Sequence, residues 1–192
     1  MRLRRSIFAV LILTCACASA PKINYYSLGV ESSGEVQPAV NLKVERLRTT
    51  EALGRSQIMI RASATRIEYY AVDQWAGGLG ELVQQKLAAE FGPPVDGRRT
   101  LKVSGTVVAC EQVDGPGGSE ARVKLEIVIR DASEARYHPP LLERTYEVSL
   151  GVARSSADAV ADALSEDDQA ILASFAERIL KKSTKPREGD PQ

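Results

Sequence analysis

Residues 121–130, ARVKLEIVIR, carry the clearest structural signal in the chain. Val123, Leu125, Ile127 and Ile129 alternate with Arg122, Lys124, Glu126 and, less cleanly, Val128. A period of two belongs to a strand with one buried face. Such one-sided alternation points to antiparallel neighbours, with the other face wet or covered by a helix. The flanks supply those neighbours. Leu101 to Val113 is rich in β-branched residues and is separated from the central stretch by Asp114-Gly115-Pro116-Gly117-Gly118, a loop. On the other side, Leu141 to Leu150 places Tyr146, Val148 and Leu150 on one face.

Upstream, Asp73 is a candidate helix cap. Trp75, Leu79, Leu82, Val83, Leu87 and Phe91 follow it at helical steps. Gly77, Gly78 and Gly80 each weaken the first turns by about 1 kcal/mol against Ala, which points to close backbone packing or an irregular entry. Gly92-Pro93-Pro94 ends the helix. Further upstream, residues 23–30, Asn41 to Leu47, Ile58 to Arg61 and Thr65 to Tyr70 read as strands. Residues 31–40 and 48–56 are connections, and Ala62-Ser63-Ala64 is a hairpin loop. At the far end, residues 155–182 read as a helix with the stripe Ile171, Leu172, Phe175, Ile179 and Leu180. Ser165-Glu166-Asp167-Asp168 resembles a capping box, with 157–164 either a separate turn or an extension of the helix. Residues 183–192 are polar and read as a disordered tail. The order predicts one α/β domain over 23–182: a mixed sheet of about five to six strands packed by two main helices.

Composition excludes several classes. The 192 residues hold 25 basic and 25 acidic side chains and 44% hydrophobic residues, typical of a folded chain without a basic footprint for nucleic acid. One His and three Cys at no zinc spacing give no metal centre.

The N-terminus is an address. Arg2, Arg4 and Arg5 precede an apolar run from Ile7 to Leu13, too short to span a bilayer and matched to a signal sequence. Cleavage after Ala18-Ser19-Ala20 would set Pro21 immediately after the cut, a poor peptidase site. Thr14-Cys15-Ala16-Cys17 instead resembles a bacterial lipobox. Cys17 is the expected lipidated residue, with Ala before it, and Cys15, preceded by Ile12-Leu13-Thr14, is the alternative. Residues 1–16 are then the signal peptide and 17–22 a lipidated linker. Several acyl chains would give lasting attachment where one would not. No Asp follows Cys17, so the expected destination is the outer membrane, on its periplasmic face. Loss of three arginines leaves the mature chain near −3. Cys110, in an apolar strand, reads as a buried small hydrophobe.

No catalytic constellation can be assembled. His138, the sole imidazole, sits beside Pro139-Pro140 in a loop. Gly77-Gly78-Leu79-Gly80 lies inside a helical pattern rather than between a strand and a helix, against a phosphate loop. Glu166-Asp167-Asp168 reads as charge at a helix N-terminus. Trp75 reads as a core anchor. The expectation is a protein with no catalytic residues, no metal and no cofactor.

The middle of the chain resembles the ABC-type transport auxiliary lipoprotein family. The resemblance rests on Tyr25-Tyr26, on Leu53, Arg55, Gln57, Ile58 and Arg61, on Asp73, Trp75 and Ala76, and on the helix from Leu82 to Phe91. The family often has Pro where Ser56 stands. The resemblance covers most of residues 23–180. It implies an α/β sandwich related to the anticodon-binding-like and TolB N-terminal architecture. It implies an outer-membrane partner of MCE-domain proteins and of an ABC permease/ATPase complex, with a homo-oligomeric ring as a possible assembly and no enzymatic activity. Arg55, Gln57, Arg61, Tyr69, Tyr70 and Trp75 are then the candidate partner surface or its support. On the plainer reading Ile58, Ile60 and Trp75 are core and Arg55, Gln57 and Arg61 alone are exposed. The alternatives are a lipoprotein that binds lipid itself, which needs an apolar pocket of several hundred Å³, and an accessory of another envelope machine.

Overall fold

The computed structural model describes residues 20–29, 40–134, 137–153 and 156–166. Cys15, Cys17, the helix expected beyond 166 and the tail over 183–192 lie outside them.

The stretch that opens the sequence is the middle of strand β7, Gly118–Asp131, and its apolar set faces the core as the alternation requires. It pairs antiparallel with β6, Thr100–Gly115, on one side and β8, Leu142–Val152, on the other. Both hairpin partners are longer than the sequence marks.

The other edge of β6 departs from the expected count. Three short strands lie along it end to end, all parallel: β2, Asn41–Val44, against its start; β3, Arg48–Thr49, against its middle; β4, Gln57–Arg61, against its end. A 3-10 turn, Ala52–Gly54, separates the last two. The sheet continues through β5, Ile67–Trp75, antiparallel to β4, to β1, Asn24–Tyr26, parallel to β5. Eight strands are therefore present among the described residues, not five to six. One of the additional strands, β3, lies in 48–56, a segment with no periodicity because its pairing is set by β6, not by its own sequence.

The N-terminus of helix α1 also differs. Asp73 is no cap and Trp75 starts no helix, since both lie on β5. Asn24–Tyr26 pairs with Asp73–Trp75, so the backbone groups a helix would use are already engaged. The Asp73 carboxylate accepts from Asn24 Nδ2 at 2.8 Å. α1 runs Leu79–Phe91, after Gly77 and Gly78. A Cβ on Gly80 would lie 2.1 Å from the Leu47 carbonyl oxygen, so this helix presses backbone to backbone on the β2–β3 connection. Gly92, at φ 68, closes α1, and its N–H bonds the Ala89 carbonyl.

A second helix, α2, is described over 157–166. Its cap is Ser156, whose Oγ accepts from Ala159 N at 3.3 Å. Ser165 is therefore inside a helix rather than capping one, and its Oγ accepts from Gly29 N at 3.0 Å. Lys86 of α1 also approaches Gly29, so α1 and α2 meet there on the same side of the sheet. Val160 and Leu164 of α2 join Leu82, Val83, Val103, Val107, Cys110 and Leu125 in one core. Cys110 is fully buried among the apolar side chains of the core, as expected of a small hydrophobe in an apolar strand.

The turn from β7 to β8 rests on one carboxylate. Asp131, 7% exposed, accepts from Arg99 Nε at 2.6 Å and from Ser133 N and Oγ at 2.9 and 2.6 Å. Burial, the largest single influence, raises its pKa. The Ser133 bonds and Arg99 together outweigh it and lower the value from 3.8 to about 2. The folded value lies below the unfolded one. The stabilisation is thus complete above about pH 4 and is lost as pH falls towards 2. Asp131→Asn is expected to cost on the order of 2 kcal/mol at neutral pH and to flatten the acid limb of a urea-midpoint titration.

Candidate functional site

The six residues expected to form a partner surface fall into three places. Trp75, 3% exposed, is core. It is pinned from both sides: its N–H bonds the Ser56 carbonyl at 2.7 Å, and the next N–H, of Ala76, bonds the Tyr26 carbonyl at 2.7 Å. Tyr70 is half-buried, and its hydroxyl donates to Gln112 Oε1 at 2.5 Å. These two are support rather than surface.

Arg55, Gln57 and Tyr69 form a second group at the β4–β5 junction. The Arg55 guanidinium stacks over the Tyr69 ring, 4.8 Å from its centre. The Tyr69 hydroxyl donates to the Ala52 carbonyl at 3.0 Å, which holds the 3-10 turn against the sheet. Gln57 pairs across to Gln74 on β5. Arg55 is exposed, while Gln57 and Tyr69 are half-buried.

Arg61 belongs to a third group, and its partners come from elsewhere in the chain. Its Nε donates to Glu111 Oε1 at 3.0 Å, and Arg122 donates to the same oxygen through Nε at 3.1 Å and through Nη2. Glu111 is fully buried and its Oε2 has no hydrogen-bond partner among the described residues. The hydrogen bond to Glu111 is the main reason that the Arg61 pKa is raised. This cluster is built into the sheet and is mainly structural. A charged residue in the apolar run from Val107 to Cys110 onward was its one sign in the sequence; the two arginines gave none.

Beside the Arg55–Tyr69 stack lies an open hollow of about 390 Å³. Its walls are the β1 edge, the 46–56 connection and the turn that enters α1. Tyr25, Arg46, Arg55, Gln74 and Trp75 line it, together with the glycines of that turn. Two arginines and no carboxylate face it. Arg46 reaches across to Gly78, where its Nη2 would lie 3.1 Å from an added Cβ. A second open hollow, about 360 Å³, adjoins it on the other side of Tyr25 and includes Lys22, Ile23, Tyr26 and Asp158. Between them the Tyr26 hydroxyl sits 2.9 Å from Asp158 Oδ1 and 3.2 Å from Asp73 Oδ1, tying α2 to β5 through β1. Burial, then the hydrogen bond to Asp158 and the Asp73 charge, keep this hydroxyl protonated far above its ordinary range. Neither hollow is a closed apolar cavity of the kind that would enclose a lipid's acyl chains. Arg46 and Gln74 were not singled out in the sequence, and Gly77-Gly78 only as a sign of an irregular helix entry, because the hollow is assembled by β1 pairing with β5, about fifty residues away.

His138 is exposed in the β7–β8 connection, its ring beside Tyr137 and its carbonyl accepting from Arg130 Nη1 at 2.5 Å. No group of three or more His, Cys, Asp or Glu among the described residues is arranged to hold a metal ion.

Comparison with known proteins adds family and fold. The model of a family described as "ABC-type transport auxiliary lipoprotein component" matches residues 26–179. Two solved structures share the fold. One is a Xanthomonas campestris protein of family DUF330, at TM-score 0.68 and 14% identity, covering 84% of this chain and 96% of that one. The other is titled only as an uncharacterized protein, at TM-score 0.64 and 16% identity, covering 83% of this chain and 99% of that one. No curated protein sequence matches.

Proposed function

Because the chain belongs to the family of ABC-type transport auxiliary lipoprotein components, we propose that it is an adaptor of an MCE-type ABC lipid transport system. It is anchored through Cys17 to the periplasmic face of the outer membrane. It acts by docking proteins and catalyses nothing itself. The family match over residues 26–179 carries the reading. The surface that would dock is the Arg55–Tyr69 stack with Gln57. Its rigidity supports the role: Tyr69 is tied to Ala52 and the adjoining Trp75 is held by two backbone bonds, so little ordering entropy is lost on binding. A stacked Arg and Tyr at the rim of a hollow are also the residue types that carry interface energy.

Detergent extraction of the full-length lipidated chain is expected to recover an MCE-domain protein with its permease and ATPase. Arg55→Glu is expected to lower that recovery about tenfold without shifting Tm, since the side chain is exposed and a lost interface contact of about 1.4 kcal/mol is one decade in affinity. An extraction that yields the chain without either transporter component overturns the reading.

A further inference from the structure

The Lys22–Tyr26 segment combines features that the docking role does not use. Tyr25, on an edge strand of three residues, is 65% exposed, and Ile23, just before that strand, is 42% exposed, with exposed Lys22 beside it. An aromatic ring, an aliphatic side chain and a lysine are the set that settles at a lipid–water boundary. Tyr25 separates the two hollows, and the larger one is lined by Arg46 and Arg55 and by no carboxylate. Its charge complements an anion. The strand also stands close to the anchor. Six residues lie between Cys17 and Asn24, so the two are at most about 25 Å apart when the segment is extended. The sheet from β1 to β8 is five strand spacings wide, about 24 Å. The tether therefore keeps β1 within about 25 Å of the membrane, and β8 is the strand of this sheet farthest from β1.

We propose that the β1 edge rests on the lipid surface itself. Tyr25 and Ile23 sit at the interfacial level, and the Arg46 side of the hollow takes the phosphate of an anionic phospholipid headgroup. This rests on the anchoring at Cys17 proposed above, and it fixes the orientation of the module. The β1 edge faces lipid, and β8, whose exposed residues include Glu143, Arg144 and Glu147, faces away. The helix-free side of the β4–β5 junction then stands upright beside the membrane, open to a partner.

The test uses the full lipidated chain in phosphatidylethanolamine–phosphatidylglycerol vesicles that contain a phosphatidylglycerol carrying a photoactivatable group near its headgroup. Label is expected in peptides covering 20–29 and 40–56 and at background over 142–153. Arg46→Gln is expected to reduce the label about fivefold, the factor that corresponds to ~1 kcal/mol per surface cation. Tyr25→Ser is expected to reduce it as well, with Trp75 emission unchanged as the sign of an intact fold. In vesicles of zwitterionic phosphatidylcholine in which the photoactivatable group is carried by phosphatidylcholine itself, Arg46→Gln is expected to change nothing. Label concentrated on 142–153, or spread evenly over the chain, overturns the orientation while leaving the anchor in place. An intact mass that shows no acyl chains removes the tether and overturns both this proposal and the reading it rests on.

Discussion

Replacing Glu111 by alanine is expected to lower the folding free energy by about 3 kcal/mol, read as a fall in the urea midpoint at constant slope. The reasoning is one of uncompensated charge. Glu111 is fully buried, and both Arg61 and Arg122 direct donors at its Oε1. Without the carboxylate two guanidinium groups face one another, each with about a quarter of its side chain exposed. That partial exposure keeps the cost at the lower end of the range for a broken buried pair. The orphaned Oε2 sharpens the prediction. A cluster already short of one donor contributes little net stability as a cluster, so replacing all three residues together is expected to recover most of the loss. The triple variant Arg61→Met, Glu111→Leu, Arg122→Leu checks this. A triple variant no better than Glu111→Ala would show that the ion pairs themselves stabilise the sheet.

The second large effect lies at the anchor. Cys17→Ala is expected to abolish incorporation of labelled palmitate and to release the chain from the membrane fraction completely. Cys15→Ala is expected to leave both unchanged. The effect is all-or-none because retention rests on acyl chains whose removal takes away about 0.8 kcal/mol per buried methylene. The interfacial contacts of Tyr25 and Ile23 are too small to replace them. The opposite pattern assigns the anchor to Cys15.

How much of this was legible in the sequence differs between elements. β7 was plain, because its two faces see different solvents and the period shows it. The C-terminal stop of α1 was plain for a similarly local reason, Gly92 followed by two prolines. The start of α1 was misread over Asp73 to Trp75. The spacing of Trp75, Leu79, Leu82 and Val83 mimics a helical face, and the strand β1 that claims those residues lies some fifty positions upstream. β3 is two residues long, too short for any period. Ser165 resembled a cap because a Ser before acidic residues is what a cap looks like locally, while the true cap, Ser156, is identified by the hydrogen bond it accepts. Among the site residues, the stacking of Arg55 on Tyr69 was not legible, because Arg55 precedes β4 and the strand partner of Tyr69 is Met59. The division of the six candidates into core, rim and buried ion pair was not legible either. It depends on which face of β4 and β5 each residue takes, and the register shift between Gln57 and Met59 alters that face midway.

The shortness of β1 decides how the fold bears force. If Cys17 is held in a membrane and a partner is engaged elsewhere, any tension enters the protein at Asn24. There it meets three paired positions, against fourteen between β6 and β7. Fewer hydrogen bonds break at lower load, so β1 peels first, drawing Tyr26 away from Asp73 and Asp158, while the long hairpins stay intact.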